Sequence, residues 1–345
     1  MPRPILWGSF ALAPAALVAR YALHTDATTL FILSGLALIP LAWLIGESTE
    51  HAAEHTGPGI GAFLNASFGN APELIIALFA IADGLPNVVR GSLAGSVVSN
   101  ILLVLGAAMI AGGDGELNAR SLRVQLLAVL GTVGLLLIPS IPGWHGNPER
   151  HSLFLVTLPI AAILLIGYAW VTVRSFRRHN AEVRAEASKT AWPLNRALAT
   201  LAAATIATAL VSEILVHSLQ EFGHAVGLGE FFIAIVIVAI VGNAAEHGGA
   251  IVIAKRGNTT LATEIAIVSS MQVAVFVAPA VALLSWIVGR GLPLSFRVVE
   301  LATMAGAALV ALIVVRDGRS RRWEGFLLIG VYAAAVALYA AAGNR

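Results

Sequence analysis

No cysteine occurs among the 345 residues, which excludes a disulfide framework, an iron–sulfur cluster and thiolate zinc sites and leaves the redox compartment open. Charge is scarce as well. Asp, Glu, Lys and Arg make up 12% of the chain, against roughly 25% in an ordinary soluble domain. The 21 Lys+Arg and 19 Asp+Glu leave +2, too balanced for a polybasic surface protein, and no nucleic-acid partner is expected. Strand-like alternation of polar and apolar residues is missing, which argues against a β-barrel. What remains is apolar: hydrophobic residues make up 58% of the chain. These features predict an all-α membrane protein whose first partner is membrane lipid.

A transmembrane helix needs about 20 mostly apolar residues. Eleven stretches approach this, near 5–22, 28–45, 59–82, 88–111, 121–140, 152–173, 196–218, 229–254, 259–288, 297–315 and 323–342. Arg3 and the small residues Ala13–Ala16 give the first a signal-peptide look, but Arg20 closes it like an ordinary span. Numbering the connections from the N-terminus as zero, the even ones hold 15 of the 21 Lys+Arg and the odd ones 6. The excess predicts a cytoplasmic N-terminus and an external C-terminus. Arg174 to Arg196 is the longest polar connection and carries six basic residues. The expected organisation is an N-terminal transmembrane helix (1–27), a first five-helix repeat (28–173), a cytoplasmic linker (174–195) and a second five-helix repeat (196–345).

The two halves are related by a shift of 173 positions. It lays Gly69-Asn70-Ala71-Pro72-Glu73 on Gly242-Asn243-Ala244-Ala245-Glu246, and pairs Ala77 with Ala250, Gly84 with Gly257 and Ser96 with Ser269. The two motifs fall in the third and eighth stretches. An odd separation makes those helices cross the bilayer in opposite directions, an inverted repeat of the kind that builds secondary transporters.

Glu73 and Glu246 lie inside apolar runs, where a carboxyl group costs several kcal/mol and reads by default as an ion or proton site. Asn70 and Asn243 precede them by three residues, on the same helical face. Gly69 and Gly242, with Pro72 in the first copy, are places where a helix could unwind and turn carbonyls toward a cation. Ser96, Ser99 and Asn100 share a face of the fourth stretch, as do Ser269 and Gln272 on the ninth. Such a donor set holds only oxygen, which suits a hard cation: Ca²⁺ takes 6–8 oxygen ligands. Two carboxylates neutralise one divalent ion. Without it they repel by roughly 3 kcal/mol at about 5 Å and an effective dielectric of about 20, which favours proton uptake. Metal and protons then compete for the same oxygens.

At these residues the chain resembles the calcium/proton antiporter family, the cation/proton exchangers of the wider calcium–cation antiporter group. The likeness covers most of the chain. It includes Glu54-His55-Thr56-Gly57-Pro58, the run from Leu64 through Glu73 to Ile76, Gly95 to Gly106, Glu230-Phe231-Phe232-Ile233, Gly242 to His247, and Trp323-Glu324-Gly325. The resemblance implies a secondary active transporter rather than an enzyme. It would export cytosolic Ca²⁺ against inward protons, with transported Ca²⁺ at the site and no other cofactor. It also implies Glu73 and Glu246 as ion-binding and proton-carrying residues. Asn70, Asn243, Ser96, Ser99, Ser269, Gln272 and the carbonyls of Gly69, Ala71 and Gly242 would assist. Three residues and one loop depart from the family pattern. Val268 and Met271 stand where a Gly and a Thr are expected, Glu264 stands where a small residue is expected, and the middle loop is basic rather than acidic.

Weaker signals surround this core. Glu50 and Glu54, with Glu47, could concentrate cations at one mouth, and Glu230, with Glu213 and Glu221, at the other; solvated helix turns explain them equally well. His247 could relay protons or simply pack. His51-Ala-Ala-Glu54-His55 matches a zinc-peptidase pattern, which makes a membrane metalloprotease a remote alternative. A Na⁺-coupled exchanger is the nearer one. The short N-terminus and the Ala- and Arg-rich make-up point to a prokaryotic cytoplasmic membrane. Oligomeric state stays open, a homo-oligomer included.

Overall fold

In lipid, backbone polar groups find no water, so apolar stretches satisfy them internally as helices. A computed structural model describes residues 8–179 and 192–343, and the side chains there except those of 57–63, 65–66 and 174–179. Most of the basic linker and the first residues of the expected 5–22 stretch therefore lie outside the described residues, as do the side chains of Gly57, Pro58, Asn65 and Ala66. Among the described residues, eight helices are long and apolar enough to cross a membrane: Ala27–Thr56, Pro86–Gly112, Ala119–Trp144, His151–Val173, Leu194–Val226, Thr259–Ile287, Val298–Asp317 and Arg322–Ala342. A ninth forms if Glu230–Gly242 and Ala244–Lys255, bent by 55° at their junction, count as one broken span. The only strand pairing among the described residues is a two-residue antiparallel contact, Gly115 with Ser320 and Glu116 with Arg319.

Of the 5–22 stretch the described residues include a ten-residue helix, Leu12–Tyr21, packed on the next. Another expected stretch takes a different form. The 59–82 stretch is not separate: helical backbone continues from Ala27 to Gly69, with Asp26 accepting the Thr29 N–H as its N-cap, and a short helix, Ala71–Ala82, follows. The polar run Glu47 to Thr56 contains no Gly or Pro, and the helical backbone continues beyond it through Gly57-Pro58-Gly59 as well. Leu194–Val226 lies antiparallel beside this long helix. Phe222 stacks on Phe31 at 4.2 Å and Trp192 stacks on His51 at 4.6 Å.

Element boundaries repeat at the offset already visible in the sequence. Ala71–Ala82 corresponds to Ala244–Lys255, Pro86–Ser99 to Thr259–Gln272, and the π-helical turns Asn100–Val104 to Val273–Val277, each 173 residues on. A third π-helical segment occupies Ile233–Val238. Such wide turns shift the helical register and favour functional sites.

Small residues set the close crossings. Gly106 and Gly325 face each other, each leaving too little room for a side chain against the other's carbonyl. At Gly95, a Cβ would come within 1.9 Å of the Ile235 carbonyl oxygen, so Pro86–Ser99 and Ile233–Val238 touch backbone to backbone.

Candidate ion site

Both repeated motifs break their helices, at the asparagine rather than at the glycine before it. Asn70 sits at φ −99°, ψ 16° and Asn243 at φ −95°, ψ 8°. Gly69 and Gly242 are the last residues of the preceding helices. The expectation that the glycines unwind is corrected here. Pro72 follows the first break, but Ala245 holds the same place in the second, so proline is not what makes the break. Asparagine adopts this bridge conformation more readily than most residues. Asn243 adds a hydrogen bond from Nδ2 to the Ala239 carbonyl at 2.9 Å.

Each break starts a new helix, and Glu73 and Glu246 fall in the first turns of these two short helices. Exposed N–H dipoles at a helix start favour a carboxylate. The two carboxyls lie close enough to act on each other electrostatically. Glu73 packs its side chain over Gly242, where an added Cβ would lie 3.5 Å from Glu73 Cγ. Glu73 is buried, with 8% of its surface exposed, whereas Glu246 is half-buried. Glu73 Oε2 has no hydrogen-bond partner among the described residues, and Glu73 lines a cavity of about 10 Å³ together with Ser92, Ser96 and Gly242. That volume is near the minimum that holds one water-sized centre.

Neutral donors connect the rest. Ser269 Oγ donates to Glu246 Oε2. Asn100 Nδ2 donates to Ser269 Oγ at 3.0 Å and to Asn243 Oδ1 at 3.2 Å. Asn243 Nδ2 donates to Ser96 Oγ at 2.8 Å. With its amide nitrogen so engaged, Asn100 offers Oδ1 to His247 Nε2 at 2.9 Å, which assigns the proton there to the histidine. On the other side, Asn70 Nδ2 donates to Gln272 Oε1, and Gln272 Nε2 donates to Tyr168 Oη, both at 3.3 Å.

The structure thus gathers Glu73, Glu246, Asn70, Asn243, Ser96, Ser269, Gln272 and His247 around the two breaks, with Gly69, Ala71 and Gly242 on their backbones. Ser99 is close but turned away, its hydroxyl donating to the Ser96 carbonyl of its own helix. Glu50 and Glu54 are exposed and stand apart from the buried network. Glu230 accepts from Gln220 Nε2 at 2.8 Å, also outside it. Tyr168 was not anticipated: it comes from His151–Val173, a span with no polar motif, and a single aromatic hydroxyl there carries no sequence signal.

The zinc-peptidase pattern is used otherwise. His51 stacks on Trp192 and pairs with Glu47 at 3.6 Å, and a ring nitrogen of His55 bonds to the Trp192 carbonyl. No group of three or more His, Asp or Glu side chains that could hold a metal occurs among the described residues. A cation at the motif site would rely on two carboxylates supplemented by amide, hydroxyl and carbonyl oxygens.

Known proteins bear on this arrangement. The family model described as "Sodium/calcium exchanger protein" matches residues 27–177 and 196–340. The Ca(2+)/H(+) antiporter of Aphanothece halophytica is 32% identical over 357 residues, covering 95% of this chain and 94% of the relative. The Ca(2+)/H(+) antiporter ChaA of Bacillus subtilis is 37% identical over 320 residues, covering 90% and 91%. Among solved structures, native YfkE superposes with a TM-score of 0.84 at 32% identity over 97% of this chain and 99% of its own. With matches across both halves and at this identity, the chain belongs to the sodium/calcium exchanger protein family.

Proposed function

We infer that this protein is a secondary active transporter that exchanges cytosolic Ca²⁺ for external protons, with Glu73 and Glu246 as the shared site. The observation that carries the reading is the pair of glutamates in the first turns of two equivalent broken helices. The charge of Glu246 bears on Glu73, whose side chain packs over Gly242 just before the second break. A divalent cation between them removes their mutual repulsion; when it leaves, protons do so instead. Alternating access to one site turns that competition into obligatory exchange. Asn70, Asn243, Ser96, Ser269 and Gln272 supply neutral oxygens, and the carbonyls of Gly69, Ala71 and Gly242 lie where the helices part. Ser99 could join by a rotamer change. His247 would be the proton-coupling partner in this reading, joined to Glu246 by the hydrogen bonds through Asn100 and Ser269 that hold the group together. Glu50, Glu54 and Glu230 would act as cation-attracting mouths. The names of the relatives in Aphanothece halophytica and Bacillus subtilis support the same exchange.

The finer architecture belongs to this reading: eleven transmembrane helices, one plus two inverted sets of five. The N-terminus is cytoplasmic, the C-terminus is outside, and the protein sits in the cell membrane. The recurrence of helix and π-turn boundaries at the 173-residue offset supports the repeats.

The test is radiolabelled Ca²⁺ uptake into proteoliposomes under an imposed pH gradient, without Na⁺. Gradient-driven uptake that disappears in Glu73→Gln and in Glu246→Gln is the expected result. Uptake that strictly requires Na⁺ would transfer the reading to a sodium-coupled exchanger.

A further inference from the structure

The short helix that starts beside Glu73, Ala71–Ala82, ends at Asp83 and is held differently on its two flanks. On one flank lies the segment 290–297, which runs without helix between Thr259–Ile287 and Val298–Asp317 and is buried at Leu292, Leu294 and Phe296. Buried backbone needs partners for its N–H groups. Hydroxyls from three spans supply them: Ser285 Oγ accepts from the Leu292 N–H at 2.8 Å, Thr157 Oγ1 from Leu294 at 3.0 Å and Ser140 Oγ from Phe296 at 2.9 Å. Arg90 Nη1 and Trp144 Nε1 donate to the Pro293 and Phe296 carbonyls at 3.2 and 2.8 Å. Arg90 stands two residues before Ser92, which lines the small cavity with Glu73, and Arg290 covers Gly84 so closely that no side chain fits there. This flank is fastened at every second residue.

The other flank is not. There Ala71–Ala82 meets Leu194–Val226, and Ala71 and Ile75 share an apolar cluster with Leu201 and Ala204. Apolar contact is non-directional, and between helices in lipid it supplies little driving force of its own. Among the described residues one polar side-chain contact crosses this seam: His217 Nδ1 lies 3.4 Å from Asp83 Oδ2. The same Nδ1 lies 2.9 Å from the Glu213 carbonyl oxygen, so with two acceptors before it this nitrogen carries the proton. Asp83 is also the residue that closes the Glu73 helix, its N–H donating to the Phe79 carbonyl, so the contact grips that helix at its end.

We propose that the way to Glu73 opens along the seam between Ala71–Ala82 and Leu194–Val226, and that His217 and Asp83 are the positioning pair that holds this seam shut. A route under the 290–297 segment would have to strip buried N–H groups of their acceptors, which is costly. Parting the seam gives up one contact whose side chains are 44% and 25% exposed, so that water replaces it. The inference rests on the glutamate pair as the exchange site, but its test does not need transport.

The probe is a water-soluble carbodiimide with glycine ethyl ester, applied to the detergent-purified full chain, with the labelling of Glu73 and Glu246 followed separately by peptide mass spectrometry. In the wild type the half-buried Glu246 should react faster than the buried Glu73. His217→Ala and Asp83→Ala should each raise the Glu73 rate by about two- to fivefold, the scale of an exposed polar pair, and leave Glu246 unchanged. Asp83→Asn, which keeps an acceptor for the Nδ1 proton, should raise it less. Thr157→Val, which takes the acceptor from the Leu294 N–H and loosens the fastened flank, should leave the Glu73 rate at the wild-type value. Thermal unfolding verifies that each variant is folded, and the exposed His217 carries the test if Asp83 variants are not. Equal Glu73 rates in the wild type and His217→Ala, a parallel rise at Glu246, or a rise confined to Thr157→Val would overturn the proposal. Selective unmasking of Glu73 in a protein that shows no gradient-driven Ca²⁺ uptake would keep the seam and remove the exchange reading instead.

Discussion

Ser270 donates its hydroxyl to the carbonyl of Val97, the residue 173 positions before it, at 3.0 Å. The corresponding helices of the two halves therefore meet at matching positions, as two copies do on either side of a local symmetry axis. Substituting Ser270→Ala removes a buried bond that one half makes to the other. It should lower stability by about 1 kcal/mol, read as a reduced unfolding midpoint, with the glutamate pair left in place.

Asn100 is the busiest neutral group of the site, joined to Asn243, Ser269 and His247. Asn100→Ala leaves two buried polar atoms, Asn243 Oδ1 and His247 Nε2, without the partner they have here, each at about 1–3 kcal/mol. The loss should exceed that of Ser270→Ala at least twofold in unfolding free energy. Exchange should fall at the same time, because Ser269 would lose the bond that holds it against Glu246.

Gly95 permits contact that no side chain allows. Gly95→Ala must push Ile235 and Ala239 away, since the new Cβ would lie 1.9 Å from the Ile235 carbonyl oxygen and 2.8 Å from the Ala239 Cβ. A destabilisation of about 1–3 kcal/mol is expected from overpacking, together with slowed exchange. Gly131→Ala is the control: nothing lies within 4 Å of its added methyl, and alanine favours the helix by roughly 0.5–1 kcal/mol. Parallel measurement of unfolding and Ca²⁺ uptake separates the two.

Competition at one site has a pH signature. Where the glutamates are protonated, each proton that Ca²⁺ displaces makes its apparent affinity about tenfold weaker per unit fall in pH. Isothermal binding of Ca²⁺ across a pH series should show that slope. It should shrink in either single Glu→Gln variant, and a flat profile would contradict a shared site.

Tyr168→Phe tests the one recruit from a motif-free span. It removes the acceptor for Gln272 Nε2 and so loosens the Gln272–Asn70 contact. A modest rise in the Ca²⁺ concentration for half-maximal uptake, within about tenfold, with maximal rate preserved is the expected reading from proteoliposomes; an unchanged value would leave Tyr168 a packing residue.

Much of the site was legible because chemistry and repetition coincide. A glutamate deep in an apolar run has few bland explanations, and finding its match 173 residues on removes most of them. Spacing placed Asn70, Asn243, Ser96, Ser269 and Gln272 on the right faces, since helical periodicity is local. What spacing could not provide was rotamer and tertiary choice. Ser99 shares the face yet bonds its own backbone, Tyr168 enters from another span, and the helix yields at asparagine rather than glycine. The uninterrupted backbone from Ala27 to Gly69 was hidden for a related reason: apolarity marks lipid, while helicity here continues through a polar run and through Gly57-Pro58-Gly59, where the sequence reads as a stop.

The backbone contact at Gly95 has no equal in the other half, because position 268 carries valine. Two copies of one plan are therefore unequal at this crossing: in the first, main chain meets main chain, and in the second any approach to position 268 must clear a branched side chain.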